Sequence, residues 1–215
     1  MTATLARQPD HPIDPLFVNR WSPRSFTAEP VPDAVLAAAF EAARWAPSAM
    51  NAQPWRFILA RPGEPAWPTF TSLLGDRNAR WAPQASALVL IVSARRIDFR
   101  GEPADNPSHS FDAGAAWANF AHQALLLGWH THGIGGFNRD AARRELAIPD
   151  AFAIEALIAL GRRSGLESLH VDFHAGEVPN GRRPLAESIF SGSFNGSPPT
   201  FATPTASREI ERTAT

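Results

Sequence analysis

The stretch Ala85–Val92 (ASALVLIV) constrains this chain more than any other. It is about half the length that crosses a bilayer, and after Ser86 it offers no polar face. Such a run is read as a central β-strand buried on both sides, which needs a covering layer on each. Phe152–Leu160, ending at Gly161, repeats the pattern as a second buried strand. Around them lie Pro32–Trp45, whose Val35, Leu36, Ala39, Phe40 and Ala43 have helical spacing behind a proline in the first turn, and Trp55–Ala60 (WRFILA), a strand after a turn. Leu73–Arg80 is read as helical, Arg95–His109 as a polar loop, Phe111–Trp129 as a long buried helix, and Asp140–Leu146 as a short one. The helix-strand alternation around one long helix suggests an α+β sandwich.

A chain of 215 residues with 44% hydrophobic residues supports one well-buried domain. Residues 1–14 are aperiodic and read as an N-terminal arm, 15–190 as the domain, and 191–215, rich in Ser, Thr, Pro and Gly, as a flexible tail. The formal net charge of -1 and a pI near 6.7 give no basic surplus, so neither nucleic acid nor an anionic membrane is expected as partner. No apolar segment reads as a secretory signal or a transmembrane helix, and a cytoplasmic location is expected. Cys, Tyr and Lys are absent. Thiolate and Schiff-base catalysis, a cysteine zinc or iron-sulfur site and a phosphate-binding P-loop lysine are thereby excluded. All 20 Lys or Arg positions are Arg, whose planar fork suits bidentate contact with phosphate.

Four segments hold candidate chemistry. In Arg20-Trp21-Ser22-Pro23-Arg24-Ser25-Phe26, two arginines four apart with a serine between converge on one phosphate if the segment turns helically; otherwise they are solvated surface charges. Trp45 to Trp55 (WAPSAMNAQPW) is dense in turn formers, and Asn51 and Gln53 are suited to the edge of a heteroaromatic ring; the plain alternative is a helix-to-strand connector. Gly133-Ile134-Gly135-Gly136-Phe137 lets backbone amides approach a ligand, but it follows a helix and lacks the spacing of a dinucleotide fingerprint. Gly181-Arg182-Arg183-Pro184-Leu185 adds two late cations, equally readable as an exposed basic turn. His122, His130 and His132, and Glu167, His170 and His174, have no recognised ligand spacing, so no metal is expected.

Taken in order, R-W-S-P-R-S-F, A-P-S-A-M-N-A-Q-P-W and R-R-P-L resemble the nitroreductase family. The resemblance extends over Asn78-Ala79-Arg80-Trp81, Asp112–Gly128, the turn at Gly135 and the strand ending at Leu160-Gly161. It implies an α+β fold with a central mixed sheet flanked by helices, an intertwined homodimer with FMN at the subunit interface, NAD(P)H as electron donor, and a small-molecule acceptor such as a nitroaromatic, a quinone or an activated alkene, in a ping-pong mechanism. By the same resemblance Arg20, Ser22 and Arg24 hold the phosphate with Arg182 and Arg183, and Trp21 shapes the adjoining face. Pro47, Ser48, Ala49 and Asn51 of the partner subunit line the flavin, Asn78 touches its pyrimidine side, and amides near Ile134, Gly135 and Gly136 meet its N5 and O4. No side chain is assigned as an obligatory acid or base. With Lys absent, Arg24 and Arg80 are the expected cations near the flavin, and with Tyr absent Trp21, Trp81, Trp117 or Phe111 shapes the substrate face. A same-fold enzyme with a specialised reaction, biosynthetic dehydrogenation or dehalogenation, and a non-catalytic FMN-binding module are the rival readings.

Overall fold

The computed structural model describes residues 7–201; residues 1–6 of the expected arm and 202–215 of the expected tail lie outside the described residues. In chain order the elements are α1 (Pro15–Asn19), α2 (Asp33–Arg44), β1 (Trp55–Ala60), α3 (Trp67–Ser72), α4 (Asp76–Ala79) and β2 (Ala87–Ala94), then β3 (Arg96–Phe99), β4 (Glu102–Asp105), α5 (His109–Leu126), β5 (His130–Ile134), α6 (Arg139–Glu145) and β6 (Phe152–Gly161). The fold is α+β as expected. The main sheet has the order β1-β2-β6-β5.

Every pairing in that sheet is antiparallel, which corrects the expected mixed sheet. The reason is topological. β2 and β5, joined through α5, both pair antiparallel to β6 and so run parallel to each other, but β6 is inserted between them. The two strands that a helical crossover makes parallel are therefore never neighbours.

β2 is buried along almost its whole length, and its alternation divides the core in two. Leu88, Leu90 and Val92 face a cluster with Phe26, Phe70, Leu73, Trp81, Leu157 and Phe173. Ala87, Val89 and Ile91 face a second with Leu36, Ala39, Ala43, Ala113, Ala116, Phe120, Ala124 and Trp129, contributed largely by α2 and α5. Alanines at the contact let these two helices approach closely, and the side chain of Asn119 on α5 donates to the Ala42 carbonyl at 3.1 Å.

Three expectations fail locally. The segment read as a helix over Leu73–Arg80 is interrupted at Leu73–Gly75, because Gly75 N donates to Gly136 O at 3.1 Å and Leu74 bridges to Phe137. Helix forms on either side instead, as α3 and α4. The polar loop Arg95–His109 contains a hairpin, β3 and β4, whose turn residues Arg100 and Gly101 have φ of 59° and 88°, the left-handed pair that suits a tight hairpin. His130 and His132, for which the sequence reading assigns no strand, belong to β5, where they pair with Gly161 and Ala159.

Two carboxylates at the start of the described chain make local and long-range hydrogen bonds. The Asp10 carboxylate accepts from Leu185 N at 2.7 Å, and Asp14 caps α1 by accepting from Leu16 N at 2.8 Å.

The end of β6 fixes the segment leading from α1 to α2. Phe26 bridges to Arg163, Thr27 N donates to Arg162 O at 3.0 Å and Ser164 N to Ser25 O at 3.0 Å. From β5, His132 Nδ1 donates to Pro23 O at 3.0 Å. Gly161 makes the approach possible, because a Cβ there would stand 2.6 Å from Cδ1 of Phe26 and 3.3 Å from its Cβ. Gly161→Ala is expected to cost about 1–3 kcal/mol, the usual penalty of overpacking, read as a lower urea midpoint at unchanged slope. A second outcome concerns pH. Burial, aided by the nearby Arg24 and Arg20, lowers the His132 pKa from 6.5 to about 4. The unfolded chain then binds a proton that the folded chain refuses, so stability falls as pH drops from about 6.5 to about 4. The loss reaches at most about 3 kcal/mol at 1.36 kcal/mol per unit, and His132→Gln should flatten that slope in denaturation curves across this window.

Candidate functional site

The segment Arg20–Phe26 follows the C-terminus of α1, and its path is set by a buried carboxylate. Glu177 Oε1 accepts from Arg24 N at 2.7 Å and from Ser25 N at 2.9 Å. Its Oε2 has no hydrogen-bond partner and faces Arg24 Nη1 at 3.9 Å, an ion-pair distance too long for a hydrogen bond. With its side chain 4% exposed, Glu177 is the anion that sets both the backbone and the guanidinium of residue 24.

Around this segment Arg7, Arg20, Trp21, Ser22, Arg24, His132, Asn180 and Arg182 border a cavity of about 230 Å³. Among the described residues four arginines line it and no carboxylate does. Burial first, then the charges of Arg182 and Arg7, push the Arg20 pKa below its ordinary value. The Arg20 guanidinium reaches Ser22 Oγ at 3.4 Å. A larger cavity of about 360 Å³ shares Arg20 and Ser22 and is walled by Trp117, Ala118, Ala121, His122 and Gly133. A region that gathers cations without lining carboxylates is suited to a small anion, and the apolar helix face beside it to an uncharged ring.

The expected residues are thus partly assembled. Arg20, Trp21, Ser22, Arg24 and Arg182 meet in one place. Arg183 borders instead a third cavity, of about 720 Å³, between the arm and the late loop. Asn78 meets the Gly135-Gly136 turn, where its Nδ2 donates to Gly136 O at 3.0 Å and its Oδ1 accepts from Trp81 Nε1 at 3.2 Å. Asn78 therefore holds the turn, with one N–H left over. Arg139 steadies the turn from the other side, donating to Gly135 O at 3.0 Å. Ile134 ends β5 with its side chain buried. Trp81, 1% exposed, lies in the core against Phe26 and His132 and forms no open face, while Trp117 lines the 360 Å³ cavity. Arg80 turns to Asp172, at 2.7 Å, and lines neither the 230 Å³ nor the 360 Å³ cavity.

Pro47, Ser48, Ala49 and Asn51 stand elsewhere on the same chain. Ala49 N donates to the buried carboxylate of Asp112, at 3.1 Å, in the first turn of α5. Arg20 and Ser22 face residues 117–122 of that helix. Ten residues of helix separate Asp112 from His122, about 15 Å at 1.5 Å per residue. The loop is held in a strained form: Met50, Asn51 and Gln53 have φ of 51°, 53° and 46°, while Gln53 N donates to Ser48 Oγ at 3.1 Å. Sequence reasoning missed Arg7, Asp112, His132 and Glu177; the Arg-rich opening segment pointed to a phosphate, but no local pattern marks the remote groups that position it.

A family model described as the nitroreductase family matches residues 18–66. The crystal structure of an oxidoreductase containing FMN is 45% identical, with 92% of this chain and 100% of that chain covered and a TM-score of 0.86. A protein of Thermus thermophilus named "NADH dehydrogenase" is 29% identical over 67% of this chain and 83% of its own length. One of Rhodopseudomonas palustris, named "Putative NADH dehydrogenase/NAD(P)H nitroreductase", is 28% identical over 85% of this chain and 83% of its own length. With the fold, the order of its motifs and these likenesses in agreement, this chain belongs to the nitroreductase family.

Proposed function

We propose that this chain is an FMN-dependent oxidoreductase that takes hydride from NADH or NADPH and delivers it to a small organic acceptor, a nitroaromatic, quinone or activated alkene, in ping-pong order, as a homodimer in the cytoplasm. The observation that carries this reading is the cavity that, among the described residues, four arginines and no carboxylate line. A terminal phosphate with close to two negative charges is the ligand such a site needs, and the oxidoreductase 45% identical to this chain contains FMN. FMN, when bound, supplies the hydride-accepting and hydride-donating ring.

The residues of the chain bind, orient and screen. Arg20 and Arg182 supply charge-assisted donors to the phosphate, and Ser22 adds a hydroxyl. Arg24, held by Glu177, is the cation placed to offset negative charge gathered on the ring's pyrimidine side, the task that falls to it because Arg80 is engaged by Asp172. Asn78 and Arg139 fix the Gly135-Gly136 turn, so that its amides have a set direction before any ligand arrives. The proton for the reduced acceptor comes from water, since no side chain is assigned as acid or base.

Two features support assembly as a homodimer. The strained loop with Pro47, Ser48, Ala49 and Asn51 stands away from the arginine cavity of its own chain, so its counterpart from the partner subunit completes the site. Trp45 at 71% and Phe111 at 83% exposed, with Met50 and Leu126, leave an apolar surface around that loop and along α5 that a second copy covers.

Adding NADH or NADPH anaerobically to the yellow protein tests the function: rapid loss of the flavin colour, restored by a quinone or nitroaromatic, is expected. A protein that keeps its colour with both donors is a storage or sensing module instead. For the site, Arg20→Ala should weaken FMN binding by about 2–5 kcal/mol, roughly 30-fold or more at 1.4 kcal/mol per decade. Arg20→Lys should recover only part, because an ammonium keeps the charge and loses the fork. Equal FMN dissociation constants for the three proteins would place Arg20 outside the site.

A further inference from the structure

We infer that Arg7, from the N-terminal arm, is a phosphate-binding residue of the arginine cavity and the pin that fastens the arm to it, a proposal that rests on the reading of that cavity as the site of the FMN phosphate. Arg7 lies in no helix or strand. Its Nε donates to Asn180 O at 2.7 Å, and its Nη1 donates to Arg20 O at 2.8 Å and also to Val18 O. A guanidinium carries five N–H donors. Three of them are given to backbone carbonyls, which leaves the two on Nη2, and among the described residues neither has a partner. Arg7 borders the same cavity as Arg20, Arg24 and Arg182.

The nature of the three acceptors decides the argument. A carboxylate would neutralise Arg7 and make it a structural ion pair. Backbone carbonyls fix its position and leave its charge whole. Among the described residues no carboxylate lies within ion-pair distance of Arg7, Arg20 or Arg182. Arg182 is held in the same manner, donating to Gly181 O at 2.9 Å. Like charges pressed together by neutral acceptors repel one another until an anion enters, and a phosphate monoester offers oxygens enough to receive several forks at once. Arg7 also joins chain segments far apart in sequence, residues 18–20 and Asn180, while Asp10 holds Leu185 of the same late loop. Phosphate binding and arm docking are therefore coupled, and each strengthens the other by the same factor.

Riboflavin, which has the ring without the phosphate, separates this role from a structural one. Apoprotein of the wild type, Arg7→Ala and Arg7→Lys is titrated with FMN and with riboflavin, following flavin fluorescence. Arg7→Ala should lose about 10- to 100-fold in FMN affinity, the scale of one charged hydrogen-bonding group, with riboflavin affinity unchanged, and Arg7→Lys should recover part of the loss. In the wild type, FMN should slow tryptic cleavage of the Arg7–Gln8 bond and riboflavin should not. If the wild type prefers FMN to riboflavin and Arg7→Ala keeps that preference in full, Arg7 is no phosphate ligand, and equal losses for both flavins would make it only a structural staple. Equal affinity of the wild type for FMN and riboflavin would remove the phosphate reading of the cavity itself, a failure distinct from the other two.

Discussion

A strand that is apolar on both faces has no stable place except between two layers, and β2 imposes that condition on the rest of the chain. One layer is regular. The alanine-rich faces of α2 and α5 lie against Ala87, Val89 and Ile91, with Phe120 and Trp129 filling the space that small side chains leave. The other layer is made of short helices and irregular segments, with Phe26, Phe70, Leu73, Trp81 and Phe173 covering Leu88, Leu90 and Val92. Irregular backbone has polar groups to satisfy, and here they are satisfied by other irregular backbone: residues 25–27 pair with 162–164, and Gly75 with Gly136. The site stands where segments of this layer, residues 20–24 and the late loop with Asn180 and Arg182, meet β5 and the flank of α5.

The electrostatics of the site rest on a difference in how two kinds of arginine are held. Arg24 has a carboxylate behind it, since Glu177 binds the backbone of residues 24 and 25 and faces the guanidinium at 3.9 Å. Arg7 and Arg182 have carbonyls. A paired cation near a ligand is a tuned one, since its field is partly cancelled, whereas an unpaired cation presents its full charge in the direction left open. Within one cavity the chain thus holds cations of two strengths, the weaker beside Glu177 and the stronger on the arm and the late loop. An all-arginine chain is suited to this division, because arginine keeps its charge through desolvation that would neutralise a lysine.

Much of the fold was legible in the sequence where local pattern and burial agree. Trp55–Ala60 and Asp33–Arg44 match the expected strand and helix closely, because apolar residues at periods of two and near 3.6 face one core each. β5 was not legible, since its His-Thr-His-Gly-Ile has little strand propensity and owes its conformation to pairing with β6. The β3–β4 hairpin was hidden in a charged segment for a similar reason. In the site, the sequence pointed to Arg20, Ser22, Arg24 and Arg182 through their chemistry and their order. It could not show that Arg80 is drawn off by Asp172, that Trp81 lies in the core, or that Arg7 reaches Asn180, 173 positions away. Those facts depend on which loops become neighbours, and that is decided by β2 and β6 rather than by residues near the site.

The strained connector after α2 is the part of the chain whose cost the single fold does not explain. Left-handed conformations at Met50, Asn51 and Gln53 each disfavour folding by about 1 kcal/mol or more, and the loop is held in place by Ser48 Oγ and the Asp112 carboxylate rather than by burial. Two buried or half-buried polar groups committed to one exposed loop make sense when the loop's shape matters to something outside its own chain. In the proposed homodimer it does, because the loop of one subunit and the arginine cavity of the other form a single site. Cofactor binding and subunit association then share one free-energy cycle, so that each favours the other. The strain is borne by every subunit, while its return comes only when a second subunit and a flavin are both in place.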